Sequence, residues 1–449
     1  MTLDPFVALP AVAVAALTYM ASAEVAFLWV YLPVLLLLPD SFIWGWPPLN
    51  PHQYAILPIG LVLSWRAIKG KWRGSWTDIL VFGFLAWMLA SDMHANGTTD
   101  IVNRLITPLT LAAFPYIVGK LVIEQEGLRV AVAKRFVFLL FIDAIICVYE
   151  FRFAVNPVRQ LLAPFFSSVD QWHTQVRYGF GRAAGPFGHA IFMGSIVAIA
   201  IILHRYVTYF GWWEKRFRWF PNVQLNKPLV MLCGLIAGSV MTLSRGPWLA
   251  AIVGGVVASI GIARNRWRAL RFMVVILLAG AALVYFGGKA YVADGKSYES
   301  KEEVASAEYR AELVHEYRHI AMVQSFWGWG SPNWPKVPGM VSIDNWYLLV
   351  TLMYGVTGLV LFVAMLGAPI VQLLWIGMLE NDLDGDLRGM LFTLSGIIAA
   401  IAVAVGTVFL GGQLFPLLFL FLGWSDACLV YRPRRLSAVP VFAFRKVII

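Results

Sequence analysis

The sequence predicts an all-α, polytopic integral membrane protein with about 12–13 transmembrane helices. Three observations predict it. Of 449 residues, 60% are hydrophobic and only 13% are charged. The mean hydropathy is +0.72, with apolar runs of roughly twenty residues recurring from end to end. The short alternating strands of a barrel are missing, and helices and closed barrels are the only structures that satisfy backbone polar groups in lipid.

Taken in order, the apolar segments fall near 5–20, 22–38, 52–68, 77–93, 104–122, 130–150, 188–208, 228–243, 247–263, 271–288, 345–377, 389–408 and 411–430. The first two could form separate spans or one hairpin. Asp4 stands where a signal peptide would carry basic residues, so the first segment is expected to be retained. A net charge of +10 would suggest nucleic acid in a soluble chain. Here the basic residues sit in short loops between apolar runs, which sets topology instead. Cys147, Cys233 and Cys428 lie inside apolar runs and read as small hydrophobes.

Lys and Arg place the loops 66–73, 205–227 and 264–271 and the tail with Arg432, Arg434 and Arg435 in the cytoplasm. The acidic loop 380–386 is cytoplasmic by parity. "TLSRGPWL", residues 242–249, lies one span from each of two basic loops, so Arg245 faces the periplasm. A charge at membrane depth costs several kcal/mol (about 3 on insertion scales) and marks a candidate site, although an anchoring Arg at a helix end is the plainer alternative.

Five segments follow. Residues 1–151 hold N-terminal spans, 152–187 form an Arg-rich periplasmic loop, and 188–288 hold central spans with the Ser-Arg-Gly turn. Residues 289–343 form a large periplasmic loop, and 344–449 carry the C-terminal spans and basic tail. The first loop has Arg152, Arg159, Arg177 and Arg182 against the single acid Asp170, with no lysine. Arg in preference to Lys suits bidentate phosphate recognition. In the second loop, Ser300 and Glu303 fit a capping box. Beyond it, Leu313, Val314, Tyr317, Ile320 and Ala321 form one helical stripe. Arg310 projects into that stripe, Arg318 flanks it, and His315 and His319 face water. An amphipathic helix on the outer membrane surface is expected. "SFWGWGSPNW" ends it, and "SIDNWYLL" places Asp344 and Asn345 at the mouth of the next span, where Asp344 serves either as helix cap or as general base.

Phosphate-binding glycine loops, zinc-protease and Ser-His-Asp patterns, and metal-ligating clusters are not visible, and no cofactor is implied. Arg182, Arg245 and Arg310, with Asp344, suit an anionic lipid headgroup at the outer interface. Glycosyl transfer from a polyprenyl-pyrophosphate sugar needs those parts: guanidinium groups offset charge on the leaving pyrophosphate, and a carboxylate takes the acceptor's proton.

The strings "GFGRAAGPFGHAIFMGSIVA", "VMTLSRGPWLAAIVGG", "YRAELVHEYRHIAMVQSFWGWG" and "IDNWYLLVTLMYGVTGLVLF" resemble the successive signatures of the O-antigen ligase/polymerase superfamily. The resemblance covers roughly residues 175 to 365; the first 170 are similar only in hydropathy. It implies a C-type glycosyltransferase fold in the bacterial inner membrane. It also implies a metal-independent, inverting transfer from undecaprenyl pyrophosphate on the periplasmic face, with Arg245 and Arg310 holding the pyrophosphate. Where ligases of that family carry His-Asn, this chain has Asp344-Asn345, which tilts the expectation towards a polymerase of O-antigen or exopolysaccharide repeat units. A ligase acting on lipid A core or protein is the alternative. Asn345, Arg318, His189 and Arg104 are secondary site candidates. The implied partners are the donor lipid, a glycan or lipid A-core acceptor, membrane lipids and a chain-length regulator. A transporter or flippase is the rival of another class. Transporters carry several mid-span carboxylates, whereas Asp143 is the clear one here.

Overall fold

The structure is a computed structural model describing residues 4–166, 174–217, 226–294, 301–331, 333–340 and 342–431. The side chains of 277, 281, 283–294, 301–308, 310 and 311 lie outside that description. Helices coincide with every expected apolar segment. In chain order they are α1 (Asp4–Met20), α2 (Ala23–Leu37), α3 (Pro51–Arg66), α4 (Trp76–Asn96), α5 (Ile101–Ile123) and α6 (Arg129–Phe153). A short α7 (Pro157–Leu162) and a hairpin of β1 (Val176–Arg177) with β2 (Phe180–Gly181) follow. Then come α8 (Ala190–Tyr209), α9 (Lys227–Met241), α10 (Arg245–Ile262), α11 (Arg266–Asp294), α12 (Lys301–Val323), α13 (Trp346–Leu379), α14 (Gly385–Val405) and α15 (Leu414–Val430).

The chain is therefore all-α and polytopic. Among the described residues, six helices (α4, α5, α8, α10, α13 and α14) are long and apolar enough to cross a membrane; α1, α2, α9 and α15 are shorter apolar helices. The first two segments are separate helices, parted at Ala21 and capped by the Ser22 hydroxyl.

Local signals set the helix starts. Asn50 and Gln53 form a reciprocal capping box at α3, and Ser75 and Asp78 do so at α4, each worth about 1 kcal/mol. Tight crossings set the packing. A Cβ on Gly254 of α10 would lie 2.5 Å from the Gly396 carbonyl oxygen of α14, and one on Gly396 would lie 2.4 Å from that of Gly254. Small residues let helix backbones meet where lipid provides no hydrophobic drive for association.

The basic loops gather at one end. Here Lys120, 0% exposed, pairs with Asp78 and Asp426 at 2.6 Å each, joining α5 to α4 and α15. Arg129 pairs with Glu124 at 2.6 Å and with Asp386 of α14 at 2.7 Å. Glu24 meets Arg66 at 2.5 Å. These ionic clusters tie helices distant in sequence, and removing one member would leave a buried charge uncompensated.

At the opposite end, α13 is broken. Gly355 has φ 70° and ψ −177°, which no helix accommodates. The freed backbone groups are taken up by the segment after α12. Trp329 N donates to the Leu352 carbonyl at 2.8 Å, Gly330 N donates to that of Met353 at 2.9 Å, and Val356 N donates to that of Ser325 at 2.6 Å. Trp87 Nε1 donates to the Tyr354 carbonyl at 2.9 Å. Ser91 Oγ lies 2.5 Å from the Trp327 carbonyl and 3.0 Å from that of Met353. Trp327 stacks between Trp87 and His94, with ring centroids 4.6 and 5.0 Å apart. The Phe-Trp-Gly-Trp-Gly segment thus fills a gap in a span, since irregular backbone at that depth has to be satisfied by protein.

The expectation for α12 needs correction in one respect. Leu313, Tyr317 and Ala321 are buried, but against Met340 and Leu352 and beside Trp334, Ile343 and Leu348, not against a membrane surface. Val314 is exposed and falls off the stripe. The anchored 325–330 segment holds the helix end against α13, so protein covers its apolar face. His315 and His319 face outward as expected, and Arg318, expected on the flank of the stripe, is exposed as well. Position 300, expected to cap this helix, lies outside the described residues.

Gly355 gives a direct test. A Cβ there would lie 2.2 Å from the Phe326 carbonyl oxygen in a left-handed backbone, whereas one on Gly367 of the same helix meets nothing within 4 Å. Gly355→Ala should lower the thermal midpoint in detergent, costing at least about 2 kcal/mol. Gly367→Ala should be neutral or stabilising by up to about 1 kcal/mol. Equal midpoints for both variants would contradict the broken-helix geometry.

Candidate functional site

The end opposite the basic loops assembles the sequence-predicted groups. Its foundation is Glu150, fully buried near the end of α6. Its carboxylate accepts from Ala184 N at 2.9 Å, Gly185 N at 2.8 Å, Asn156 Nδ2 at 3.1 Å and Thr174 Oγ1 at 2.9 Å. One carboxylate thereby gathers both ends of the Arg-rich loop, and charge-assisted bonds of this kind are about twice as strong as neutral ones. The hairpin β1–β2 carries Arg177 at one end and precedes Arg182 at the other.

Both arginines reach the turn between α9 and α10. Arg182 donates to Ser244 Oγ at 2.9 Å and to the Thr242 carbonyl at 3.4 Å, and it also bonds Gln175 Oε1. Arg177 Nη1 donates to the Leu243 carbonyl at 3.0 Å. Ala183 N donates to the Met241 carbonyl at 3.1 Å. Leu243 adopts φ 48°, a left-handed conformation costing a non-glycine residue about 1–2 kcal/mol, and these bonds hold it there. The turn delivers Arg245 to the first position of α10, exposed. Two neighbours fix its depth: a Cβ on Gly194 of α8 would lie 2.8 Å from Pro247, and one on Gly246 would lie 2.4 Å from Thr407 Oγ1.

His189 caps α8, its Nδ1 accepting from Ile191 N at 3.1 Å. Asp344 accepts a hydrogen bond from Ser342 Oγ. The cap of α13 is Asn345, whose Oδ1 accepts from Leu348 N at 3.2 Å. The capping alternative thus goes to Asn345 and leaves the Asp344 carboxylate outside the helix.

Charge is unevenly distributed. Burial, with Arg177 nearby, lowers the pKa of Arg182 to about 10, still cationic at neutral pH. Burial, then Arg182, lowers the pKa of His189 to about 4, while Asp344 acts in the raising direction. His189 is therefore neutral at pH 7, within electrostatic range of both groups. A desolvated guanidinium held against a fixed turn is suited to meeting an anion.

The structure thus brings Arg182, His189 and Asp344 together beside the turn that bears Arg245. Arg104 sits elsewhere: it donates to the Asp92 carbonyl at 2.6 Å, while Asp92 Oδ1 accepts from Ser331 N at 2.7 Å. That pair secures the loop after α12. Arg318 is exposed on α12, and the Arg310 side chain lies outside the described residues. Among the described residues, no group of three or more His, Cys, Asp or Glu is placed to hold a metal ion.

Fold and site define a multi-pass membrane protein with a cationic turn and a carboxylate at one end of its helix bundle. Residues 229–363 match the family model described as O-antigen ligase, which supports a relation to the O-antigen ligase-like superfamily over that segment. That match supports ligase- or polymerase-type chemistry in general, in a family of glycosyltransferase-like enzymes. It includes Arg245, Arg310, Asp344 and Asn345, and excludes Arg182 and His189. No curated protein matches the chain.

Glu150 is the structural residue that sequence reading missed. Its signal was present: an acid at the end of an apolar span, next to an Arg-rich loop with one acid of its own.

His189 gives a pH test. With a folded-state pKa of about 4 against about 6.5 unfolded, the unfolded chain binds the extra proton between those values. The stability contributed by neutral His189 is present above about pH 6.5 and lost as pH falls towards about 4. His189→Asn keeps a capping side chain without titrating. The wild-type thermal midpoint should fall relative to that variant between pH 6.5 and 4; parallel curves would contradict the buried, neutral imidazole.

Proposed function

We propose that the protein transfers a glycan from a polyprenyl-pyrophosphate donor to an acceptor hydroxyl, at the periplasmic face of the bacterial inner membrane. The donor lipid is undecaprenyl pyrophosphate. The observation that carries this reading is the turn at 242–245, buttressed by Arg177 and Arg182, with Asp344 and His189 beside it. Arg245, Arg182 and Arg310 bind the pyrophosphate. Their charge offsets that developing on the leaving group, a stabilisation that grows where water is excluded.

Asp344 is the base. One carboxylate oxygen accepts from Ser342, and the other takes the acceptor hydroxyl proton as its oxygen attacks the anomeric carbon. The bond from that carbon to pyrophosphate breaks, its electron pair leaves with the lipid pyrophosphate, and the configuration inverts. Asp344 then passes its proton to water. The chemistry is metal-independent, the arginines supplying the positive charge. Polymerisation of repeat units, O-antigen or exopolysaccharide, is the preferred form, because Asp344 stands where ligases have His. The family's description as O-antigen ligase favours transfer to lipid A core as the second reading. A chain-length regulator would be a partner of the polymerase form.

Asp344→Asn separates base from scaffold, because Asn345 and not Asp344 caps α13. The variant should insert and melt as wild type and still bind donor lipid. Its transfer rate should drop about a hundredfold to ten-thousandfold. Near-normal transfer would remove Asp344 from the chemistry and make His189 the next base to test.

A further inference from the structure

A second carboxylate, Asp40, adjoins the same end of the bundle from the turn after α2. Two glycines adjoin it, the second closely enough that a side chain there would crowd it. A Cβ on Gly188, the neighbour of His189, would lie 3.6 Å from Asp40 Oδ1, and one on Gly412 would lie 3.0 Å from Oδ2. Gly412 also has φ 53° and precedes Gln413, the N-cap position of α15. Gln413 is fully buried and donates through Nε2 to the Leu38 carbonyl at 3.2 Å. Among the described residues its Oε1 is buried without a hydrogen-bond partner, and so is Nε1 of Trp346, two residues after Asp344. A buried amide oxygen left unsatisfied costs about 1–3 kcal/mol, a cost that a hydroxyl donor reaching it would remove. Phe409, in the same α14–α15 connection, is 41% exposed.

Charge decides which ligand. A carboxylate with an orphan amide oxygen repels pyrophosphate and welcomes hydroxyl donors, whereas the arginines lie around 177–182 and 242–245. Ligand pockets commonly pair an aromatic or apolar wall with a few such polar groups. Resting on the glycosyl-transfer reading, we propose that Asp40 and Gln413 form the acceptor subsite, binding sugar hydroxyls of the acceptor glycan beside Asp344. Trp346 Nε1 donates to a sugar oxygen, and Phe409 provides a face for the ring. Asp40 and Gln413 fall outside the matched segment 229–363 and Trp346 inside it, so the parts of the chain that flank the segment contribute to acceptor choice.

The test uses the full-length protein in detergent. Lipid-linked repeat units extracted from cells lacking the protein serve as donor at fixed concentration. The same glycan, released by mild acid, is the varied acceptor. Asp40→Asn, which preserves shape, should raise acceptor KM about tenfold or more, as expected for a lost bond to a charged group. Donor KM should be unchanged and kcat altered by less than about threefold. Gln413→Leu should raise the same constant, and decides alone if Asp40→Asn fails to insert. Acceptor KM within twofold of wild type, or a rise in donor KM instead, would overturn the subsite while leaving glycosyl transfer standing. Wild-type protein that transfers no glycan at all would overturn both.

Discussion

Inside a bilayer every backbone N–H and C=O has to be satisfied by the chain itself, and the site end of this protein is organised around meeting that demand at a broken helix. Gly355 interrupts α13, and the loop at 325–330 replaces the missing bonds at Leu352, Met353 and Val356. That repair has consequences in both directions along the chain. It pins the end of α12, so that Leu313, Tyr317 and Ala321 bury against α13. It also fixes the first turns of α13, whose mouth carries Asp344. A loop upstream of Asp344 therefore governs the carboxylate's placement.

The cationic half of the site depends on a different buried group. Glu150 holds the 174–185 segment through three hydrogen bonds and Asn156 through a fourth, and that segment brings Arg177 and Arg182 onto the carbonyls of Leu243 and Thr242. The strained turn is kept open by these donors, and Arg245 is its next residue. Preorganisation of this kind matters for charge stabilisation, because groups already in place need not reorganise as charge develops. At the other end of the bundle, Lys120 and Arg129 serve a structural purpose, each enclosed by two carboxylates.

Much of the architecture was legible because hydropathy is a local property. Runs of apolar residues mark helices wherever they pack, so the expected segments from 5–20 to 411–430 all coincide with helices. Arg245 was legible too, as a lone charge between two such runs. What escaped notice was long-range. Nothing in "LMYGVTG" announces that Gly355 is left-handed, since glycine is common in membrane helices and the bonds that permit the break come from residues 325–330. The α12 stripe was read correctly at Leu313, Tyr317 and Ala321, but its periodicity could not say whether lipid or protein would cover it. Asp344 and Asn345 are adjacent and both can cap; only backbone geometry assigns the cap to Asn345. Asp40 follows an apolar run, and its two glycine neighbours lie far along the chain.

Glycosyl transfer from a lipid-linked donor is tested most directly in cells lacking the protein, by mass spectrometry of their polyprenyl-pyrophosphate glycans. The result expected is accumulation of single repeat units on the lipid, with loss of the polymer. Accumulated long chains would instead indicate a ligase. A lipid-linked pool identical to that of wild-type cells would contradict glycosyl transfer altogether.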